Sequence, residues 1–200
     1  YVCDGTADDV QIQAAIDAIT GNGKIVLLEG TYSIAAAINI KQGIWIDGMN
    51  GDYTKLTLTA SSSHNLLQYN VSNGVEKYPF FLSNIGLHGN AANGATGKLL
   101  DTKVGTNELK DVFLQNVFAG YCGNTTTAFN FGNPWGLRLN IVNIEYCEGD
   151  AINITGGIST RSTFIHNCKI RDNKGNAIVF SGVNSSNVIG NEFSSGYGND

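Results

Sequence analysis

Three acidic side chains, Glu148, Asp150 and Asp172, have the type and spacing for acid–base chemistry. Glu148 and Asp172 each fall five residues after an asparagine, Asn143 and Asn167, inside segments that resemble one another. If those segments stack, the two carboxylates become neighbours on adjacent turns of chain, with Asp150 close by. Carboxyl groups whose surroundings separate their pKa values can protonate a glycosidic oxygen while the partner attacks or activates water. A separation of roughly 5 Å suits a retaining pair and a wider one an inverting pair. The plainer expectation is a set of solvated turn acids balanced by Lys169, Arg171 and Lys174. By the same spacing Glu145 and Lys169 share a place and pair on the surface, where an ion pair is worth little.

Aromatic side chains at turns form the second candidate set. Tyr121, Trp135, Tyr146 and Tyr197 lie in or near turns, and an exposed ring can stack on the apolar face of a sugar. Tyr121, Trp135 and Tyr146 are the expected carbohydrate-binding residues. His64, His88 and His166 are isolated from one another in the repeat, and His166 falls at a surface place. The cysteines, Cys3, Cys122, Cys147 and Cys168, show no CxxC or Cys/His ligand spacing. No zinc site, other metal or cofactor is therefore expected. Cys168 takes an inward place and acts as a small hydrophobe. Cys122 and Cys147 fall in the same turn of adjacent repeats, where a disulfide is one expectation and would imply an oxidising compartment. Asn-Xaa-Ser/Thr triplets begin at Asn70, Asn124, Asn153 and Asn184, and in so Asn-rich a chain they say little about glycosylation.

The elements that position these residues come from a repeat. Five segments align without gaps: Phe80 to Ile85, Val112 to Val117, Leu139 to Ile144, Thr163 to Cys168, and Asn187 to Glu192. Asn84, Asn116, Asn143, Asn167 and Asn191 occupy the fifth place of each, and Leu82, Leu114, Ile141, Ile165 and Ile189 stand two before. A second motif follows: Ala128 to Phe131, Ala151 to Ile154, and Ala177 to Phe180. Its alternation is that of short strands with one buried face. Gly156-Gly157 and Gly182 supply links. Units of about 24 residues with three short strands suit one coil of a solenoid, where each strand pairs with its copy in the next coil. The coils then rise by about 4.8 Å. The five asparagines form a ladder at a corner, since Asn tolerates left-handed backbone and its amide can donate to the next carbonyl.

Composition agrees. The chain has 200 residues, 25 Gly, 24 Asn, 14% charged residues and a net charge of -5. The acidic balance and missing basic cluster argue against nucleic acid. No apolar run is long enough for a membrane span. Near the start, Thr6 and Asp9 form a capping-box-like pair. Ile12, Ala15, Ile16 and Ile19 then share one helical face, and Gly21-Asn22-Gly23 ends the helix. Lys24 to Leu28 reads as a strand and Glu29-Gly30-Thr31-Tyr32 as a turn. An amphipathic helix here covers the open first coil, whose core and strand edges are otherwise bare.

Asp4-Gly5-Thr6-Ala7-Asp8-Asp9, Gln13 to Ala18, and Gly23 to Tyr32 together resemble the N-terminal signature of the pectate-lyase-like superfamily. The resemblance implies an all-β fold, a right-handed single-stranded parallel β-helix with an N-terminal capping α-helix. One domain is expected over 1–200, with the cap at about 6–20 and coils over about 24–200. It also implies an extracellular, cell-surface or virion protein that meets a polysaccharide or cell-surface glycan, as polysaccharide lyases and glycoside hydrolases do. The alternative it implies is a non-catalytic shaft, filament or adhesin module. Gly149-Asp150-Ala151-Ile152 resembles half of the polygalacturonase Asp-Asp-Cys-Ile element. Thr125-Thr126-Thr127-Ala128 and Gly175-Asn176-Ala177 stand where the other elements would be, so that mechanism is not carried over. The chain ends at Gly198-Asn199-Asp200 with no recognisable cap. The last coil is therefore expected to continue in a longer protein or to meet another subunit, as a trimer or filament would allow.

Overall fold

The computed structural model describes residues 1–69, 79–102, 109–123, 125, 127–156 and 162–194. Tyr197, the chain end, Gly157, and the triplet asparagines Asn70 and Asn124 lie outside the described residues. The chain winds as a parallel β-helix. Gly23–Val26, Ile44–Asp47, Phe80–His88, Val112–Gly120, Arg138–Glu145, Thr163–His166 and Ser186–Ile189 stack in chain order, every pair parallel. Gly30–Ile34, Thr54–Leu58, Lys169–Arg171 and Glu192–Ser194 extend the same 11-stranded sheet past a corner. A six-stranded sheet closes the first six coils: Ile38–Asn39, Leu67–Gln68, Leu100–Thr102, Thr127–Gly132, Asp150–Thr155 and Ile178–Ser181. Glu29 to Tyr32 is not a turn, because Gly30–Ile34 pairs along its whole length with Thr54–Leu58.

Alternation puts one face of each strand inside. Leu82, Leu114, Leu139 and Ile165 form one fully buried column, and Leu87, Ala119, Ile144 and Ile170 another. Each large side chain buried this way contributes about 1.5–3 kcal/mol. In the last coil the same columns are open. Val188 is 39% and Phe193 48% exposed, because no further coil among the described residues covers them.

The helix, Asp9–Ala18, buries Ile12 and Ile16 against the first coil. Thr6 does not cap it. Asp8 is the N-cap but its side chain makes no cap hydrogen bond. Instead Asp8 Oδ2 accepts from Ser33 N at 2.8 Å, Asp9 Oδ1 from Ala35 N at 2.7 Å, and Gln13 Oε1 from Asn39 N at 2.7 Å. Ser33 and Asn39 are strand amides and Ala35 follows the strand, all on the first coil described, with no other coil among the described residues before it. A buried N–H without an acceptor costs about 1–3 kcal/mol, so edge satisfaction outweighs local capping.

The asparagine ladder is shorter than the alignment implies. Gln115 pairs with Asn140 and Val117 with Val142, which sets Ile141, not Asn143, opposite Asn116. Likewise Asn167 faces Gly190, and Asn191 stands one residue beyond. The corner column is Asn84, Asn116, Ile141, Asn167 and Gly190, all with φ between 53° and 68°. Asn116 Nδ2 donates to Asn84 Oδ1 at 2.9 Å, and Asn84 Nδ2 to Asp47 Oδ1 at 2.9 Å. Asn191 instead bridges coils through the Ile165 carbonyl and the Cys168 amide. Asn143 falls on a paired strand opposite Lys169.

The disulfide is also absent. Cys122 and Cys147 are buried side by side as thiols and are not joined by a disulfide. A hydrogen bond to Cys122, then burial, pushes the Cys147 thiol far above its ordinary pKa.

Candidate functional site

A second corner lies at the C-terminal end of the long strands. Gly120 pairs with Glu145 and Glu145 with Arg171, so Tyr121, Tyr146 and Asp172 follow one another down the helix. All three hold left-handed backbone, with φ of 55°, 57° and 56°. This corner aims two tyrosine rings outward on successive coils. The rings stack at 5.2 Å between centroids with 25° between planes. His88, from the preceding coil, stacks on Tyr121 at 4.7 Å and 28°. The result is a row of three rings along the helix axis. Tyr121 is 41% exposed.

A groove of about 350 Å³ opens beside the row, lined by Asp52, Lys55, His88, Phe118 and Tyr121. Its floor exists because Gly86 stands where the next coil has Phe118. A Cβ at Gly86 would come within 2.3 Å of the Gly51 carbonyl oxygen, so glycine is required there. His88 Nδ1 accepts from Asn90 N at 3.1 Å. The neutral ring therefore carries its proton on Nε2. Burial, and then the positive charge of Lys55, lower the His88 pKa and favour that neutral form. The groove thus offers one N–H donor, one ammonium, one carboxylate and aromatic faces.

Glu145 continues the site toward the next coil. It is nearly buried, and its Oε2 accepts from Arg171 Nε at 2.6 Å. The expected Glu145–Lys169 pair does not form; Lys169 meets Glu192 at 3.5 Å. The two-residue slip at Ile141 is the cause, since it pairs Glu145 with Arg171. Glu145 first, and Asp172 next, raise the pKa of Tyr146 against the opposing pull of Arg171.

The same slip gives the three candidate acids different partners. Glu148 Oε2 is held by Lys174 Nζ at 2.6 Å on an exposed turn. Asp150 Oδ1 accepts from Asn176 N at 2.7 Å and Asn176 Nδ2 at 2.9 Å. Asp172 follows Tyr146 in the corner column. The structure thus brings Tyr121 and Tyr146 together but gives Glu148, Asp150 and Asp172 three different sets of neighbours. Trp135 sits elsewhere, on the small two-stranded patch with Lys110, whose ammonium lies 5.1 Å from its ring centre. His88 was legible only as an isolated histidine. Its ring partner is 33 residues away in sequence and meets it only through the stacking of coils.

An amide row that the repeat did not single out crosses the six-stranded sheet. Gln68 Nε2 donates to Asn39 Oδ1 at 2.7 Å, Asn130 Nδ2 to Asp101 Oδ1 at 2.9 Å, and Asn153 Nδ2 to Asn130 Oδ1 at 2.9 Å. Its signal was present, since Asn130 and Asn153 hold the same place in the second motif. Asn153, a triplet asparagine, is engaged in this row, while Asn184 is exposed. Among the described residues no three His, Cys, Asp or Glu side chains converge as a metal set. No helix among them is long and apolar enough to cross a membrane.

No family model matches this chain, and no curated protein matches it in sequence. Solved structures do. ORF18 of Geobacillus virus E2 matches with a TM-score of 0.68 at 18% identity, over 96% of this chain and 38% of that one. The A-module of Azotobacter vinelandii mannuronan C-5 epimerase AlgE4 matches with a TM-score of 0.59 at 20% identity, over 88% and 57%. The AlgE6 A-module matches at 0.54 and 20%, over 88% and 55%. The likeness is one of fold. This chain spans well under two thirds of each of these three proteins.

Proposed function

We propose that this chain is a polysaccharide-interacting β-helix that holds a glycan against the His88–Tyr121–Tyr146 row. The carrying observation is the row itself, three rings stacked on successive coils beside a groove that also offers Lys55 and Asp52. The C–H face of a pyranose complements the negative face of an aromatic ring, and a rigid ring row is ordered before the ligand arrives. His88 Nε2–H and the Lys55 ammonium are placed to meet hydroxyl or carboxylate oxygens. Two of the similar structures are named for action on mannuronan and one is a phage protein, which supports a glycan ligand and an extracellular, cell-surface or virion setting.

The groove reading is one of binding. Glu148 and Asp150 each act as an engaged acceptor, to Lys174 and to Asn176, and this favours a structural part for both. The test is a glycan array with the intact protein, followed by calorimetric titration of each hit. Tyr121→Ala is expected to weaken binding about tenfold or more, the loss of one stacking platform. If no acidic or neutral glycan binds, or if Tyr121→Ala binds as the parent does, the reading fails. Reducing-end release or absorbance of unsaturated uronides from any hit would add catalysis to it.

A further inference from the structure

A second aromatic row runs along a different face. Register sets Lys24, Trp45, Phe81, Phe113, Arg138 and Phe164 opposite one another on six successive coils, all on the outward side of the first limb. Ring centres lie 6.1 Å apart for Trp45–Phe81 and 6.0 Å for Phe81–Phe113. Trp45 is 40% and Phe81 37% exposed. Strand alternation would normally place polar residues here. The Asn84–Asn116 corner turns the chain between this row and the groove described above, so the two sites share no residue.

The row is held in place before any ligand binds. Trp45 Nε1 donates to Ser83 Oγ at 2.6 Å, and Ser83 Oγ meets Asp47 Oδ1 at 2.5 Å. Lys24 Nζ binds Asp47 at 2.6 Å and lies 3.9 Å from the centre of the Trp45 ring, which closes one end of the row. Near the other end the Arg138 guanidinium is 5.9 Å from the Phe164 ring centre, between Phe113 and Phe164 in register. Arg138 is exposed and has no ion-pair partner among the described residues. Beside the rings runs a polar lane of Ser83, Gln115, Asn140 and His166.

We propose that this face binds an acidic polysaccharide, with sugar rings on Phe81, Phe113 and Phe164 and a carboxylate on Arg138. Three features select that occupant. Coils rise by about 4.8 Å, close to the advance of one sugar in an extended 1,4-linked chain, so the coil and sugar repeats keep step. Trp45 to Phe164 spans about 19 Å at that rise, room for about four sugars. An apolar lane flanked by a polar one matches a sugar chain, with its C–H faces and hydroxyl edges, whereas a homodimer patch is apolar through its centre. The exposed Arg138 guanidinium adds a fork that suits a planar carboxylate. The ligand class is shared with the groove reading, but the residues are not, so either site can fail alone.

The experiment uses the intact chain carrying Trp135→Phe, which leaves Trp45 as its one tryptophan. Trp45 emission is titrated with oligomannuronate, oligogalacturonate and neutral cello-oligosaccharide, each in low and high salt. The expected result is a saturable change with an acidic oligomer that weakens in salt. Arg138→Gln should weaken that acidic ligand about tenfold or more, the loss of one charge-assisted contact. Phe113→Ser should remove the change, and Tyr121→Ala in the groove should leave it intact. Arg138 is exposed, so Arg138→Gln tests the proposal even if Phe113→Ser does not fold. Emission unmoved by every oligomer overturns the proposal, as does equal affinity in Arg138→Gln. A Tyr121→Ala variant that abolishes the Trp45 signal overturns the separateness of the two sites. Emission that shifts with protein concentration alone, with a dimer by light scattering, shows that a second copy covers the face instead.

Discussion

Ile141→Asn is expected to stabilise the protein. Ile141 holds φ of 53° in the corner column, between Asn116 and Asn167. An L-residue in left-handed backbone costs roughly 1–2 kcal/mol, and for a β-branched side chain this is a true outlier. Asparagine tolerates the conformation, as Asn84, Asn116 and Asn167 do on other coils. The burial lost is small, because Ile141 is 44% exposed. A net gain of about 1 kcal/mol should raise the melting midpoint by about 2–4 °C for a chain of this size. Ile141→Gly should gain less, because glycine's extra unfolded-state freedom takes back about 0.4–1 kcal/mol. Ile141→Val should gain nothing, since it keeps the branch. Asn116→Ile should lose about 2–3 kcal/mol, from the corner strain and the bond to Asn84. Urea and thermal unfolding followed by far-UV circular dichroism measure all four. A neutral or destabilised Ile141→Asn, together with a harmless Asn116→Ile, would refute strain at this corner.

Arg171→Gln should lower the urea midpoint, because it strips a nearly buried Glu145 of its charged donor; an unchanged midpoint would mean Glu145 does not depend on that pair. Glu148→Gln should change stability by less than about 1 kcal/mol, because both partners of its ion pair are half-exposed; a larger loss would mean the turn depends on that pair. His88 sits below its ordinary pKa of 6.5, so the unfolded chain takes up a proton first. Its contribution to stability is therefore full above that value and is lost as pH falls below it toward the folded pKa. His88→Gln should flatten this part of the profile, and urea midpoints between about pH 8 and pH 5 would show whether it does. Cys122 and Cys147 are buried and the Cys147 thiol resists ionisation, so both should react with an aromatic disulfide reagent only after denaturant is added. Fast modification of the native protein would contradict that burial.

The sequence repeat carried the architecture further than it carried the register. The second motif aligns as the sequence implies, with Phe129 opposite Ile152 and Ile152 opposite Ile178. Thr127–Gly132 is buried along its whole length, and its large side chains Phe129 and Phe131 stack in register with Ile152 and Ile154, which leaves little freedom to slip. The asparagine motif failed in two of five segments because asparagine serves several ends in this chain. Asn84, Asn116 and Asn167 take the corner, Asn130 and Asn153 form the amide row, and Asn191 bridges two backbones. A gapless alignment on so common a residue chose Asn143 where the corner held Ile141. That single slip misplaced Glu145, Glu148 and Asp172 together, because the pairing between the coils of Ile141 and Asn167 moved by two residues.

The sequence by itself determined a coiled parallel β fold with an amphipathic cap, the buried places of Leu82, Leu114 and Ile165 though not of Ile141 and Ile189, which are exposed, and Tyr121 and Tyr146 as residues of interest. Those follow from local alternation and from repetition, which one chain displays to itself. Only the tertiary structure decided which residues meet. His88 with Tyr121, Glu145 with Arg171, and the row from Trp45 to Phe164 are contacts between coils, set by how many residues each turn spends before the next strand begins. Turn length is weakly constrained by hydrophobic pattern, since turns bury little. The cap shows the same division. Its apolar face was legible at helical spacing, but Asp8 and Asp9 turned from the helix end to the bare edge of the first coil, where unpaired amides made the larger demand.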